Sequence, residues 1–379
     1  MRWSIPRPVR LTRSTSAWLD VIRSLAALTV MLGHLRVFFF VDSPFAISGL
    51  VKTFYFVAQL GHQAVMVFFV LSGFLISSSV LRSLRQGTWS WRDYLIDRGV
   101  RLYIVLLPGL ALGGLWDFLG IRFFNHSGIY SAPLPGFGDD NPAAQFNLSS
   151  FFGTLFFLQT RFTTVFGSNG PLWSLFNEFW YYLLFPALLL LIVTNHRRFA
   201  PLLGCLAVAY LAIRILDGEL GGFLIWLAGG VVALTSRYFR FGGIWQARGW
   251  TLGAAALTGW CLRAAVTGGG WMGSDLAVGL SFALLIHGLV QSGLPLVERG
   301  RRFAKSFAGF SYSLYVLHFP LLLLIRAKWM PAYRWEPDAI RLPLGAGLAV
   351  GVLLYAFVLA QITEGKTSAL RGWVRGVFH

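Results

Sequence analysis

Charge is what this chain has least of. Of its 379 residues only 12% are Asp, Glu, Lys or Arg, against roughly a quarter in an ordinary soluble domain, while 56% are hydrophobic. A chain of that composition cannot clothe itself in polar surface, so a water-soluble globule is excluded. Cysteine is scarce as well. Cys205 and Cys261 both fall in apolar segments with no spacing that supports a disulfide or a metal site, so neither redox nor metal chemistry is expected. Internal repeats are lacking, and so is any appended soluble domain; residues 1–379 read as a single membrane domain. What is present is long apolar runs. Those at 18–41, 171–194 and 303–325 reach the ~20 residues that cross a hydrocarbon core about 30 Å thick. The fold class expected is all-α, a polytopic transmembrane helix bundle.

About ten spans are expected, at about 18–41, 57–80, 101–121, 171–194, 200–216, 220–235, 249–267, 275–293, 307–327 and 342–362. The thirteen-residue apolar run 148–160 is too short to cross and reads as re-entrant or interfacial. The Pro/Gly-rich segment 122–147 is the longest external loop. The basic N-terminus (Arg2, Arg7, Arg10, Arg13) precedes a run too long for a signal peptide and interrupted by Arg23 and His34, so it reads as retained. A net charge of +17 would suggest nucleic acid in a soluble protein. Here the basic residues fall in alternate loops. One side gathers the N-terminal arginines with Arg82, Arg85, Arg92, Arg98, Arg197, Arg198, Arg237, Arg240, Arg248, Arg299, Arg301, Arg302, Lys305, Lys366, Arg371 and Arg375. The other gathers Lys52, Arg122, Arg161, Lys328, Arg334 and Arg341. The positive-inside rule then places both termini in the cytoplasm, with the bilayer rather than nucleic acid as the partner.

Ionisable groups at membrane depth are costly, so each needs a reason. Arg23 and His34 lie eleven positions apart, on an α-helix roughly 1100° and about 16 Å of rise, hence on one face. Arg23 near the cytoplasmic end either snorkels or binds; Asp20, one turn earlier, is placed to fix its guanidinium. His34 is either a neutral histidine tying helices together or a base. Glu178 lies among aromatic and aliphatic neighbours with no nearby cation in sequence, so it is protonated or paired across helices. His34 and Glu178 are each about seven residues, on the order of 10 Å, from the external ends of their spans, and His318 about nine residues from its own. Three titratable groups at one depth are what acid/base chemistry needs. His62, at the external edge of the second span, reads equally as an interfacial histidine. Ser72-Gly73 allows close helix approach, and the serine lacks the frame of a nucleophile. Arg98 and Arg101, at the mouth of the third span, either follow the positive-inside bias or receive a phosphorylated ligand. Arg214, Arg263 and His287 read as structural.

In order, LDVIRSLAALTVMLGH (Asp20, Arg23, His34), FFVLSGFLIS (Ser72, Gly73), RGVRLYIVLLP (Arg98, Arg101), PLWSLFNEFWYYLLFP (Trp173, Ser174, Glu178, Tyr182, Pro186), SYSLYVLHFP (Ser311, Tyr312, Tyr315, His318) and TEGK (Glu364) resemble the acyltransferase family 3 of bacterial membrane enzymes. The resemblance implies a multi-pass inner-membrane O-acyltransferase. Such an enzyme moves an acyl group, most often acetyl, from cytoplasmic acyl-CoA to a sugar hydroxyl of a polysaccharide, lipopolysaccharide or related glycan. Acyl-CoA, acetyl-CoA above all, is then a co-substrate and no cofactor is bound; a glycan or glycolipid acceptor and polysaccharide-biosynthesis machinery are the implied partners. It implies His34 as base, with Glu178 and His318 orienting the imidazole, shuttling its proton or holding the acceptor. Arg23, Arg98 and Arg101 serve the donor, and Asp20, His62, Ser72, Trp173, Ser174, Tyr182, Tyr312 and Tyr315 give support or face the acceptor. Ala64 and the Tyr103 to Pro108 stretch depart from the common pattern, the latter on the donor side. A transporter or flippase of a glycan or small solute is the rival class, and the absent repeat symmetry counts against it.

The charge asymmetry yields an expected outcome. Single cysteines introduced near Arg85 and Arg301 stay shielded from an impermeant thiol reagent in intact cells and one near Gly136 reacts; the opposite labelling pattern inverts the topology.

Overall fold

A computed structural model describes residues 11–42, 49–134, 141–193, 199–330 and 333–377. Arg2, Arg7, Arg10, Arg197, Arg198 and Gly136 lie outside them. Among the described residues regular structure is helical, apart from isolated bridges pairing Phe40 with Trp335 and Gln159 with Thr163. The helices are α1 (Arg13–Phe39), α2 (Gly49–Gln59), α3 (Gly61–Gln86), α4 (Trp91–Phe123), α5 (Pro142–Gln145), α6 (Leu148–Leu155), α7 (Trp173–Val193), α8 (Phe199–Ile215), α9 (Leu220–Thr235), α10 (Ile244–Thr267), α11 (Asp275–Ser292), α12 (Glu298–Ala308), α13 (Ser311–Trp329), α14 (Arg341–Ile362) and α15 (Thr367–Val377).

A helix occupies each of the ten expected positions, but length and apolarity sufficient to cross are met by 6, or by 7 if α12 and α13, bent by 50° at their junction, make one span. The physical reason is visible in each shortfall. With 17 and 16 residues, α8 and α9 rise only ~24–26 Å, less than a hydrocarbon core. The 24 residues of α10 are long enough, but Arg248 and Arg263 interrupt its apolar pattern. In the 148–160 run only eight residues are helical, about 12 Å of rise, which is too short to cross.

The chain divides into two compact units, the first formed by Met1–Arg23, Gln63–Tyr94 and Asn177–Lys305, the second by Ser24–His62, Leu95–Phe176 and Ser306–His379. In the first, α3 and α9 meet backbone to backbone: a Cβ on Gly73 would lie 1.8 Å from the Trp226 carbonyl oxygen, and one on Gly229 1.9 Å from that of Val70. This is the small-residue contact by which helices associate without a hydrophobic drive. In the second, a Cβ on Gly109 of α4 would lie 2.4 Å from Val316 of α13, and one on Gly33 of α1 2.8 Å from the Ala58 carbonyl of α2. The end of α1 is fastened to the segment after α13. Trp335 donates its N–H to Phe39 (2.6 Å), Val41 donates to Trp335 (3.1 Å), and Arg36 and Arg334 both bind Asp42 at 3.2 and 2.6 Å. The hydrogen bond from Arg334 holds the Asp42 carboxyl below its ordinary range.

Prolines inside helices create the polar anchor points. Proline lacks the N–H that would bond the carbonyl four residues earlier, and in an apolar setting that carbonyl needs another donor. Pro186 frees the Tyr182 carbonyl, which accepts the Tyr94 hydroxyl at 2.9 Å; Pro320 frees that of Val316, which accepts the Asn169 amide at 2.9 Å. These two interruptions thus become bonds to other elements. Tyr94→Phe should therefore lower stability by about 1–3 kcal/mol. The loss should shrink when Pro186→Ala restores the missing N–H. Thermal unfolding of the single and double variants in detergent checks this, and equal losses in both backgrounds contradict it.

Candidate active site

His318 lies on α13 with no exposed surface, and its Nδ1 is 2.8 Å from the Leu314 carbonyl oxygen. A carbonyl can only accept, so Nδ1 carries the proton. With both rings neutral, Nε2 of His318 then holds a lone pair, and it stands 2.7 Å from Nδ1 of His34 on α1. His34 must be the donor in that bond, which leaves its own lone pair on Nε2. The backbone of α13 in this way sets the tautomer of a residue on another helix. The rings are stacked at 5.0 Å with 17° between planes, and the Phe319 ring meets His34 edge-on at 4.9 Å. A half-buried imidazole with an oriented lone pair can take a proton from a hydroxyl brought to it.

The turn before α7 braces α13 beside this pair. Besides Asn169 on Val316, the Tyr315 hydroxyl donates to the Pro171 carbonyl at 2.8 Å and lies 2.7 Å from the Ser174 hydroxyl. Trp173, at the start of α7, stacks on His62 with ring centres 6.1 Å apart. At the start of α13 Glu364 accepts the Ser313 backbone N–H at 2.9 Å, a carboxylate from outside the helix capping its first turn. The second oxygen of Glu364 binds Arg101 at 3.4 Å, and that guanidinium lies over the Tyr312 ring at 5.5 Å. Tyr312 donates to the Leu102 carbonyl at 3.1 Å. Arg98 is half-buried one turn before Arg101. Tyr103, where the sequence departs from the family pattern, ties α4 to α6 through the Leu155 carbonyl at 2.9 Å.

The first unit holds the remaining expected residues. Asp20 binds Arg23 at 3.0 Å, the pairing that the i, i+3 spacing anticipates. Glu178 is half-buried; it accepts the Ser72 hydroxyl at 2.9 Å and a shorter bond from the Tyr182 hydroxyl. Ser72 in turn accepts the Trp226 indole N–H at 3.2 Å. The close approach expected of Ser72-Gly73 thus falls to the glycine, while the serine bonds to Glu178. His287 bonds to Ser236 (3.2 Å) and Gln291 (3.0 Å), and Arg263 is exposed. Cys205 and Cys261 are free and buried. Among the described residues no group of three or more His, Cys, Asp or Glu gathers as a metal site.

Three participants escape the sequence reading. Nothing local marks Asn169 or Trp226, whose partners lie on other helices. Asp117 had a signal: it is an acidic residue inside an apolar span, and it is buried, accepting both the backbone N–H (2.7 Å) and the hydroxyl (2.6 Å) of Ser168.

No solved structure matches this chain. An O-acetyl transferase of Shigella phage Sf6 is 27% identical over 171 residues, 44% of this chain and 43% of that protein, so the likeness spans less than half the length of either. A family model described as an acyltransferase domain matches residues 16–361 and so takes in both histidines, the arginines and Glu178. The chain belongs to that acyltransferase family, acyltransferase family 3.

Proposed function

We propose that this protein is a multi-pass bacterial inner-membrane O-acyltransferase with both termini in the cytoplasm. It takes an acyl group, acetyl in the simplest case, from acyl-CoA and delivers it to a hydroxyl of a polysaccharide, lipopolysaccharide or related glycan. The observation that carries the reading is the His34–His318 hydrogen bond, because it fixes which nitrogen of His34 can act as base.

In the proposed reaction His34 Nε2 removes the proton of the acceptor hydroxyl as its oxygen attacks the thioester carbonyl carbon. The tetrahedral oxyanion collapses, the carbon–sulfur bond breaks, and the departing thiolate recovers the proton from the His34 imidazolium. His318 accepts the Nδ1–H throughout, orienting the ring and sharing the positive charge that develops on it, as the third member of a catalytic triad does. Arg98 and Arg101 meet the phosphates of the donor. Glu364 and Tyr312 hold Arg101 in one orientation, so little side-chain freedom is lost when phosphate binds. Arg23, oriented by Asp20, also serves the donor. The hydroxyl-linked carboxylate Glu178, with Ser72 and Tyr182, acts on the acceptor or on proton movement. The acyl-O-transfer named for the phage relative agrees with this reading.

The test uses purified protein, acetyl-CoA labelled in the acetyl group and a bacterial glycan extract. His34→Ala should lower the transfer rate 10²- to 10⁴-fold, about 3–5 kcal/mol of transition-state stabilisation, while folded yield and donor binding hold. His318→Gln, which keeps an acceptor for the Nδ1–H, should retain more activity than His318→Leu. A folded His34→Ala protein that transfers at the parent rate, or equal rates for the two His318 variants, contradicts the assignment.

A further inference from the structure

The second unit contains a cavity of about 400 Å³, within the ~300–1,000 Å³ of small-molecule sites. Its described wall is made by Leu134, α5, the turns between α6 and α7 and the start of α7, and among the described residues it carries no charge. Gln145, Thr160, Thr163, Thr164 and Ser168 supply amide and hydroxyl groups, Trp173 supplies an indole, and among the described residues no Lys, Arg, Asp or Glu lines it. The carboxylate behind it, Asp117, is turned into the wall. It accepts both bonds from Ser168, and a Cβ on Gly167, which has φ +60°, would lie 2.1 Å from it. The wall is also held against its own backbone preferences. Thr160 is β-branched yet has φ +69°, a conformation such residues rarely adopt, and its N–H is fixed on the Thr163 carbonyl at 2.9 Å. Strain of this kind persists only where packing enforces it, and Thr163 is wedged so tightly on α6 that only glycine fits at 153.

We infer that this cavity is the acceptor subsite and that it takes an uncharged sugar, the inference resting on the acyl-transfer reading above. An aromatic face offers packing to the C–H face of a pyranose, and the surrounding hydroxyl and amide groups match a ring that both donates and accepts hydrogen bonds. A phosphate or a uronic or sialic carboxylate finds no cation among the described lining residues to replace its hydration, so the donor's phosphates and acidic sugars are excluded. The position serves the reaction. Asn169 and Pro171 flank Gly170 in the cavity wall, and both are hydrogen-bonded to the helix that carries His318. A sugar seated against Trp173 is thereby registered to the histidine pair by the same bonds that brace α13.

The test is saturation-transfer NMR on the detergent-solubilised full chain with methyl glycosides, which reads binding without turnover. Methyl α-glucoside, α-mannoside, β-galactoside and α-rhamnoside are the neutral probes, and methyl β-glucuronoside is the acidic one. At least one neutral glycoside should receive transfer from the parent protein and equally from His34→Ala, while the glucuronoside receives none. Val165→Trp, which fills the cavity, should reduce transfer to that of empty micelles. Thr160→Lys, at an exposed position of the rim, should admit the glucuronoside, and this gain decides the matter should the tryptophan variant fail to fold. Transfer to no neutral glycoside, equal transfer to the glucuronoside in the parent, undiminished transfer in a folded Val165→Trp protein, or no gain in a folded Thr160→Lys protein overturns the assignment. A parent that binds neutral glycosides in this cavity yet passes no labelled acetyl group to any glycan overturns the reaction and leaves the subsite standing.

Discussion

Everything proposed for the chemistry depends on one hydrogen bond, 2.7 Å between Nδ1 of His34 and Nε2 of His318. A lone histidine in an apolar setting has no preferred tautomer and no fixed ring orientation. Here the carbonyl of Leu314 settles the proton on His318, and His318 settles it on His34. The arrangement costs no charged group, which suits a site where an uncompensated ion would be expensive. It does demand that α1 and α13 keep their register. That register is kept by the Phe39–Trp335 backbone bonds with the Arg36–Asp42–Arg334 cluster, while Glu364 fastens the first turn of α13 to the segment after α14.

The prolines show how a membrane protein turns a defect to use. A carbonyl left without its helical partner cannot turn to water in the hydrocarbon region, so it becomes a fixed acceptor for a side chain from elsewhere. Val316 and Tyr182 both play this part, and both lie close in sequence to residues assigned to the chemistry: Val316 is two positions from His318, and Tyr182 bonds directly to Glu178. Bracing and chemistry share the same helices, which ties the precision of the site to the packing around it.

Much of this was legible in the sequence because it is local. Apolar runs long enough to span and the i, i+3 pairing of Asp20 with Arg23 both follow from helical periodicity. Counting inward from span ends placed His34 and His318 at a common depth, but depth cannot say which helices are neighbours, so their bond was beyond reach. The same holds for Ser72, read as a packing residue because its partners Glu178 and Trp226 come from two other helices. The ten-span count rested on apolar runs, whereas α8 and α9 fall short of a full crossing in length and α10 in apolarity. The cavity wall was illegible for another reason: its shape comes from positive φ at Thr160 and Gly167 and from Asp117 buried beneath it, none of which has a periodic signature.

The most direct test of the central claim is ¹⁵N NMR of the full chain carrying ring-labelled histidine, with His34→Gln and His318→Gln proteins used to assign the two residues. The account predicts that both rings are neutral with the proton on Nδ1, so that each Nε2 shows the shift of an unprotonated, pyridine-like nitrogen. A His34 protonated on Nε2, with its lone pair spent on His318, would leave no base directed at an acceptor and would contradict it.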